Sequence, residues 1–230
     1  MAAEASGNNR RTRAVDELVE VLRGEILSGQ FTPGAKMPSE KELTRALKVQ
    51  RPTLRAAYAR LEVEGLLIHR PGKGMQVGDH RERGTLPLLP HLDTDHHLHD
   101  IVELRRVVMA ESAGRAAGRA TFEDLADLSE RARAQAAPGD AEAFRAGDRA
   151  FMRRLVRTSG SLPMRMVFHS LDAWLEAHPG LHDRLLVDRA TVIAGYRAIV
   201  NLVRGGDERM ARNAVRQALE KTDAEALLAP

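Results

Sequence analysis

Hydrophobic residues recur at helical spacing along most of the chain, and the first such pattern begins near residue 15. Its apolar positions are Val15, Leu18, Val19, Leu22 and Ile26. Intervals of three and four residues bring these side chains onto one face of a helix. We therefore predict an amphipathic helix whose apolar face is buried against the elements that follow it.

Two further helices are predicted after it, separated by a short polar connection. Ser39 is followed three positions later by Glu42, which is the spacing of a capping box at a helix start. The next apolar pattern covers residues 51–64 and stops at Gly65, a common helix terminator. Its buried face is predicted to consist of Leu54, Ala57, Tyr58 and Leu61. Two helices joined in this way predict a helix-turn-helix.

A β-hairpin is predicted after these helices. Short apolar runs at residues 66–68 and 75–77 flank a basic, glycine-containing turn at residues 70–74. A hairpin in this place indicates the wing of a winged helix-turn-helix domain, which we predict over residues 13–78. The segment before it, residues 1–12, has no apolar pattern and is predicted to be a disordered tail.

The predicted domain places cationic and hydroxyl side chains where a DNA duplex would be met. A helix that enters the major groove presents its first turns to the bases, and arginine pairs best with guanine O6 and N7. The residues predicted to contact bases and nearby phosphates are Arg51, Thr53 and Arg55. Those predicted to hold phosphates are Lys41, Arg45, Arg70 and Lys73. Gly72 would let the wing backbone approach the minor groove.

Composition favours double-stranded DNA as the partner and argues against single-strand binding, cysteine chemistry and a membrane span. The formal net charge is +3, and the excess of cations falls within residues 10–79. Five Phe, two Tyr and one Trp argue against a stacking platform for single strands. The absence of cysteine excludes a disulfide framework and thiolate chemistry. No apolar run approaches the ~20 residues of a membrane span and no signal-peptide core is present, so we expect a cytoplasmic location.

The second half of the chain is predicted to be all-helical. Residues 79–95 mix charges, glycine and prolines without a period, and we interpret them as a linker. Residues 96–230 show six helical patterns with short connections. One of them starts with a capping box between Thr121 and Asp124, and another covers residues 185–203. The fold class is thus mainly α, a winged helix-turn-helix followed by an all-α bundle.

The N-terminal motifs resemble those of the GntR family of bacterial transcription regulators. Residues 37–40 read Met-Pro-Ser-Glu, residues 51–55 read Arg-Pro-Thr-Leu-Arg and residues 70–74 read Arg-Pro-Gly-Lys-Gly. Their order and spacing match the signature of that family's DNA-binding domain. The resemblance implies a homodimer that reads a palindromic operator, since one winged helix covers only a few base pairs.

The second half resembles the FCD effector-binding domain of the FadR-type branch of this family. The segments that carry the likeness are residues 103–106, 148–151, 196–200 and 204–207. The resemblance implies a regulator, with a repressor favoured, that a small-molecule effector releases from DNA. Arg105 is a residue that the family places toward its pocket, so an organic acid is the favoured class of ligand.

Many FCD domains hold a divalent metal with one aspartate and three histidines, and this chain departs from that set. The corresponding positions are Asp148, Met152, Tyr196 and Ala218. A thioether, a phenol and a methyl group do not form a site for zinc, nickel or manganese. We therefore predict no metal and no cofactor. The residues assigned to effector contact are Arg105, Asp148, Met152 and Tyr196.

A second group of candidate metal ligands lies near the predicted linker. It consists of His91, His96, His97 and His99 together with Asp93, Asp95 and Asp100. The histidines do not form a pair one helical turn apart within an established helix. A solvated hinge is therefore favoured over a metal site.

Two other functions stay open. The same fold without an effector would be a constitutive DNA-binding dimer. A DNA-binding head fused to a small enzyme domain is disfavoured, because no histidine pairs with a serine or threonine in a recognisable nucleophile motif. No lysine lies in a recognisable cofactor setting either. The sequence therefore favours a regulator that is not an enzyme.

Overall fold

The computed structural model describes residues 2–186 and 188–228, and it divides between Leu88 and Leu89 into two compact units. Helices dominate both units, and the described strands form one two-stranded sheet. The mainly α class predicted from the sequence is confirmed. Among the described residues, no helix has both the length and the apolar character needed to cross a bilayer.

The N-terminal unit is built from helices and one hairpin. In chain order its elements are α1 (Ala2–Leu27), α2 (Glu40–Ala46), α3 (Arg51–Val63), β1 (Leu67–Arg70), β2 (Gly74–Val77) and α4 (His80–Arg83). The two strands are antiparallel, with Leu67 opposite Val77 and Arg70 opposite Gly74. Helices α2 and α3 with this hairpin form the winged helix-turn-helix that the sequence predicts.

The core of this unit consists of the two predicted apolar faces. All five apolar positions predicted on α1 are buried, and so are the four predicted on α3. The capping box is present as well, because Ser39 Oγ accepts a 3.3 Å bond from the Glu42 backbone N–H. In return, the Ser39 backbone N–H donates a 2.8 Å bond to Glu42 Oε2. The cap fixes where α2 begins, and therefore which of its side chains face α3.

Glycine allows a close backbone crossing at the base of the wing. Gly65 follows α3 with a φ of +79°, and a Cβ atom there would lie 2.0 Å from the carbonyl oxygen of Arg83. Gly72, at the tip of the wing, also has a positive φ, of +74°, but an added Cβ would meet no atom within 4 Å. The base of the wing is therefore sterically closed and its tip is open.

Two segments, at the start of the chain and in the predicted linker, differ from the sequence-based expectation. Helix α1 begins at Ala2, so the backbone is helical over residues 2–12, where the sequence predicts a disordered tail; Met1 lies outside the described residues. Alanine, glutamate and arginine make up much of this segment, and extending a helix costs far less than nucleating one. The predicted linker contains α4 and a 3₁₀ helix, Leu86–His91, in which Leu88 is buried.

The C-terminal unit is an all-α bundle, as predicted. Its helices are α5 (Thr94–Ala117), α6 (Phe122–Ala134), α7 (Ala141–Thr158), α8 (Leu162–Ala177), α9 (Pro179–Leu185), α10 (Arg189–Gly205) and α11 (Glu208–Leu228). The predicted capping box between Thr121 and Asp124 starts α6. Helices α5 and α11 run side by side along the bundle.

Helix boundaries in this unit depart from the sequence pattern in two places. Helix α5 begins at Thr94, within the predicted linker, because the Asp93 carboxylate accepts a 2.9 Å bond from the His96 backbone N–H. The helix predicted over residues 185–203 begins later, as α10, because Asp188 caps its start, and α9 is an additional helix that the sequence pattern does not predict. The described part of this unit therefore has seven helices where the sequence pattern predicts six.

Aromatic residues lie at the centre of this bundle. Trp174 is fully buried, and its Nε1 donates a 3.1 Å bond to the carbonyl oxygen of Leu92. The ring of Phe151 lies 4.4 Å from that of Tyr196, measured between centroids. This packing fixes the relative positions of α7, α8 and α10. It also fixes the polar side chains that those helices carry.

Candidate functional site

Helix α3 turns two arginines outward from its N-terminal half. Arg51 and Arg55 are exposed, whereas the opposite face of the helix lies in the core. Pro52 is tolerated between them because a helix has no internal partner for the N–H groups of its first turn. Lys41 and Arg45 are exposed on α2. Two adjacent helices thus present four of the cations predicted to contact DNA.

Arg55 is held by a carboxylate from the preceding helix. Its Nε donates to Glu40 Oε1 at 2.9 Å, and its Nη2 donates to Glu40 Oε2 at 3.0 Å. Hydrogen bonding from Arg55 holds the pKa of Glu40 below its ordinary value, so the carboxylate is charged at neutral pH. Glu40 is absent from the predicted site, because acidic residues are common beside helix caps and carry no sign of a partner on another helix.

Thr53 is largely buried, unlike the two arginines predicted to contact DNA with it. It is only 8 % exposed and lies on the buried side of α3. Position 53 precedes the fully buried Ala57 by about one helical turn, so both side chains point toward the core. The predicted contact between Thr53 and DNA is therefore not supported by its position.

The wing presents the remaining residues predicted to contact DNA. Arg70, Gly72 and Lys73 are exposed in the turn between β1 and β2. The Lys73 backbone N–H donates a 3.0 Å bond to the Arg70 carbonyl oxygen, which closes the turn. Apart from Thr53, every residue predicted to contact DNA is thus exposed on the N-terminal unit.

The C-terminal unit encloses a cavity of about 430 Å³. Its lining includes all four residues predicted to contact an effector, namely Arg105, Asp148, Met152 and Tyr196. Ala218, the fourth position of the metal set, lines it as well. Most of the remaining wall is aliphatic and includes Leu185, Val192, Ile199, Leu202, Val215 and Leu219.

Asp148 is the acidic group of the cavity wall. Its Oδ2 lies 2.8 Å from His182 Nε2, and its Oδ1 accepts a 2.6 Å bond from the Tyr196 hydroxyl. All three residues are at most 2 % exposed. Burial alone would raise the pKa of Asp148, but the hydrogen bond and charge of His182 hold that pKa below its ordinary value. The carboxylate is therefore ionised, and both of its oxygens are engaged.

Arg105 reaches the cavity from α5 and is itself paired. Its Nη1 donates a 3.2 Å bond to Asp223 Oδ1, and the Nε of Arg106 lies 3.3 Å from Asp223 Oδ2. Burial raises the pKa of Asp223, although both arginines act to lower it. The cavity thus combines aliphatic walls with a buried guanidinium.

The residues around Asp148 do not fit a divalent metal. Met152 and Ala218 supply a thioether and a methyl group where the resemblance implies imidazoles. Burial, together with the charge of Asp148, raises the pKa of Tyr196, so its hydroxyl stays protonated and is not a phenolate ligand. Within the described residues, no group of three or more His, Asp or Glu side chains is arranged to hold a metal ion.

His182 and Asp223 are absent from the predicted site. His182 is 34 residues from Asp148, on a short helix that the sequence pattern does not predict. Asp223 is 118 residues from Arg105. No short sequence pattern indicates either pairing, because each depends on how helices that are distant in the chain pack in the bundle.

The histidine cluster lies largely on a helix, so the prediction of a hinge is wrong for most of it. His96, His97 and His99 belong to the first turns of α5. His96 and His99 line an open cleft of about 830 Å³ together with His178. The described side chains there are not arranged to hold a metal ion, and the side chain of Asp95 lies outside the described part.

Both units match known protein families. Residues 14–77 match the bacterial regulatory proteins of the gntR family, and residues 100–221 match the FCD domain. An uncharacterized HTH-type transcriptional regulator of Mycobacterium tuberculosis is 31% identical over 206 residues, which cover 86% of this chain and 83% of that protein. The Uxu operon transcriptional regulator of Escherichia coli is 27% identical over 220 residues, covering 90% and 84% of the two chains.

A solved structure shares the fold. It is that of Lar, which controls the expression of the Listeria monocytogenes agr system, and it matches with a TM-score of 0.63. The match covers 96% of this chain and 97% of that chain at 16% sequence identity. At this level of identity the likeness concerns the fold alone.

Proposed function

Because this chain belongs to the GntR family of bacterial transcription regulators, with an FCD domain of the FadR-type branch, we propose that it is a repressor which a small-molecule effector releases from DNA. Two copies would bind one palindromic operator, and the effector would be an organic acid. The partner is double-stranded DNA in the cytoplasm, and no enzymatic reaction forms part of the proposal.

The observation that carries the DNA-binding part is the pair of exposed arginines on α3. Arg51 and Arg55 project from the half of the helix that a recognition helix inserts into the major groove. Each guanidinium offers the paired donors that guanine O6 and N7 accept. Contacts to phosphates would come from Lys41, Arg45, Arg70 and Lys73.

A homodimer is proposed because one winged helix-turn-helix domain contacts only a short stretch of DNA. One α3 contacts only a few base pairs, whereas the affinity of a specific regulator requires a larger interface. A two-fold axis doubles the contact without any new surface on the chain. The same axis requires an operator whose two halves are inverted copies.

The cavity of the C-terminal unit supports an acidic effector with a hydrophobic body. Its volume of about 430 Å³ lies within the range of roughly 300–1,000 Å³ of small-molecule sites. Arg105 supplies a cation for the acidic head, and Lys221, also in the lining, supplies a second one. Aliphatic side chains such as Ile199 and Leu219 provide the surface for the body.

Release from DNA requires a preference of the effector for one form of the protein. An acid that bound the DNA-competent and DNA-incompetent forms equally well could regulate nothing. Linkage makes the effect reciprocal, so operator DNA must weaken effector binding by the same factor. This reciprocity separates an effector from a ligand that merely occupies the cavity.

Calorimetric titration of candidate acids tests the effector part. Wild type, Arg105→Ala and Arg106→Ala are titrated with and without operator. Arg106 pairs with Asp223 as Arg105 does, but it is not among the described residues that line the cavity, which makes it the matched control. We expect Arg105→Ala to bind the acid about tenfold more weakly or worse, and Arg106→Ala to resemble wild type. Equal affinity for the acid in every titration would contradict the effector part of the proposal. It would favour the alternative, a constitutive DNA-binding dimer.

The DNA-binding part is tested with a duplex that the wild-type protein selects from a random pool. We expect Arg55→Ala to lose ~1–3 kcal/mol of specific binding, with the dimer and its helicity unchanged. A mobility-shift assay measures the binding, and circular dichroism checks the helicity. Wild-type affinity in this variant would remove Arg55 from the reading surface.

A further inference from the structure

The pair formed by Glu40 and Arg55 joins the two helices of the helix-turn-helix. The Arg55 side chain is 68% exposed and that of Glu40 is 35% exposed, so the pair lies at the surface. We propose that Glu40 is a specificity-determining residue, which positions the guanidinium of Arg55 for one base pair without touching a base itself. The proposal rests on the role of Arg55 in DNA reading that is proposed above.

The geometry of the pair leaves one edge of the guanidinium free. Arginine has five N–H donors in a rigid plane. The bonds from Nε and Nη2 to the Glu40 carboxylate use the side edge of that plane. The end edge, formed by Nη1 and the second hydrogen of Nη2, stays available for the O6 and N7 atoms of a guanine. Glu40 therefore determines which edge of Arg55 meets the DNA.

The carboxylate is itself held in place by the start of α2. Ser39 caps the helix, so Glu40 is its first residue and its position follows from the cap. The Thr44 hydroxyl donates a 2.7 Å bond to the Glu40 carbonyl oxygen and reinforces this first turn. An anion at a helix N-terminus is also favoured by the helix dipole. Arg55 is thus tied to a fixed point, and it loses less rotamer freedom on meeting a base.

The charge of Glu40 acts in the opposite direction on unspecific binding. A carboxylate close to the DNA surface repels phosphates whatever the base sequence is. Glu40 therefore has two effects that differ in sign, since it strengthens reading at one base pair and weakens attraction to any duplex. Only the first effect increases discrimination between the operator and other DNA, because a repulsion that acts on every duplex alike cancels in the ratio of the two affinities.

The test compares variants on a set of duplexes. The set holds the duplex selected by wild type, versions with each base pair changed in turn, and an unrelated duplex of the same length. Arg55→Ala locates the base pair that Arg55 reads. Only at that base pair should a base change no longer lower the affinity of this variant. We expect Glu40→Gln to lower discrimination at that same base pair about tenfold and to bind the unrelated duplex at least as tightly as wild type.

Two further variants separate position from charge. Glu42→Gln removes the same charge two residues away, does not contact Arg55, and retains the capping box because glutamine can replace glutamate there. We expect it to keep wild-type discrimination at the base pair read by Arg55. Glu40→Asp keeps the charge but withdraws the oxygens by one methylene, so we expect it to lose discrimination without gaining affinity for the unrelated duplex.

The outcomes distinguish this inference from the function on which it rests. The double variant Glu40→Gln/Arg55→Ala should discriminate no worse than Arg55→Ala alone, which a merely structural role of Glu40 would not produce. Wild-type discrimination in both Glu40→Gln and Glu40→Asp would overturn the role of Glu40 and leave that of Arg55 intact. Unchanged discrimination at every base pair in Arg55→Ala would overturn both.

Discussion

The two candidate sites carry their charged groups in opposite ways. In the N-terminal unit the pair between Glu40 and Arg55 lies at the surface, whereas in the C-terminal unit Asp148 and His182 pair within the interior. Solvent screens the first pair, so it contributes little to stability. Its side chains can therefore rearrange when DNA binds without a large loss of stability. The second pair has given up its hydration, and removing either partner takes a hydrogen-bond partner from the other in the interior. Binding and stability are therefore separable at the first site and coupled at the second.

The largest effect that would sharpen this contrast is expected at His182. His182→Ala leaves the Asp148 carboxylate with Tyr196 as its remaining partner, and we expect the free energy of unfolding of the C-terminal unit to fall by ~3–5 kcal/mol. Urea unfolding followed by circular dichroism measures the loss. His169→Ala, at an exposed position on α8, is the control and should stay within ~0.5 kcal/mol of wild type. Equal losses in the two variants would break the contrast.

The next effect concerns the N-terminal unit and leaves stability untouched. We expect Arg51→Ala to lower specific DNA binding by ~1–3 kcal/mol, because its guanidinium is proposed to read a base. Since the side chain is exposed, the free energy of unfolding should change by less than ~0.5 kcal/mol. Mobility shift and urea unfolding give the two numbers. Arg60→Ala removes a cation near the other end of α3 and should bind the operator as wild type does. A stability loss in Arg51→Ala as large as that in His182→Ala would contradict the comparison.

A smaller effect is expected at the wing. Lys73→Ala removes one proposed phosphate contact, so it should weaken binding to the operator and to an unrelated duplex by similar factors. The slope of log affinity against log salt concentration should become shallower by about 0.9, as for one released counterion. Fluorescence anisotropy over a range of salt concentrations measures both quantities. A loss confined to the operator would show that Lys73 reads sequence rather than charge.

Treatment with a metal chelator is expected to have the smallest effect, namely none. The buried pair between Asp148 and His182 occupies the place where the resemblance implies an ion, so protein purified without chelator should contain well under one equivalent of zinc, nickel or manganese. EDTA should leave the melting temperature unchanged. Elemental analysis and a thermal shift assay check the two statements. Stoichiometric metal that disappears in Asp148→Ala would show that the alignment of the ligand positions is wrong.

Features that depend on neighbours in the chain were predictable from the sequence. The capping boxes at Ser39 and Thr121 follow from spacings of three residues, and the buried faces of α1 and α3 follow from helical periodicity. The wing followed from two short apolar runs around a glycine-containing turn. Each of these rests on interactions within one or two turns of backbone.

Features that depend on the meeting of distant segments were not predictable in this way. Glu40 and Arg55 are 15 residues apart on different helices, and Asp148 and Tyr196 are 48 residues apart. Residue type indicated that Tyr196 is no metal ligand, but not that its hydroxyl would bond to Asp148. Thr53 shows the same limit, since its residue type suits DNA contact but did not indicate that the helix turns this position inward.

The wing, closed at its base and open at its tip, sets where this protein can change. At Gly65 any side chain would collide with the backbone of Arg83. A substitution there is therefore tolerated only if the backbone around residue 83 moves. The residues around Gly72 face solvent, and new side chains at Arg70 or Lys73 would disturb no packing. Gene duplication followed by drift at the tip would therefore yield paralogues that differ in their affinity for DNA and in its salt dependence, on an unchanged scaffold. The same positions are where an engineer should randomise first.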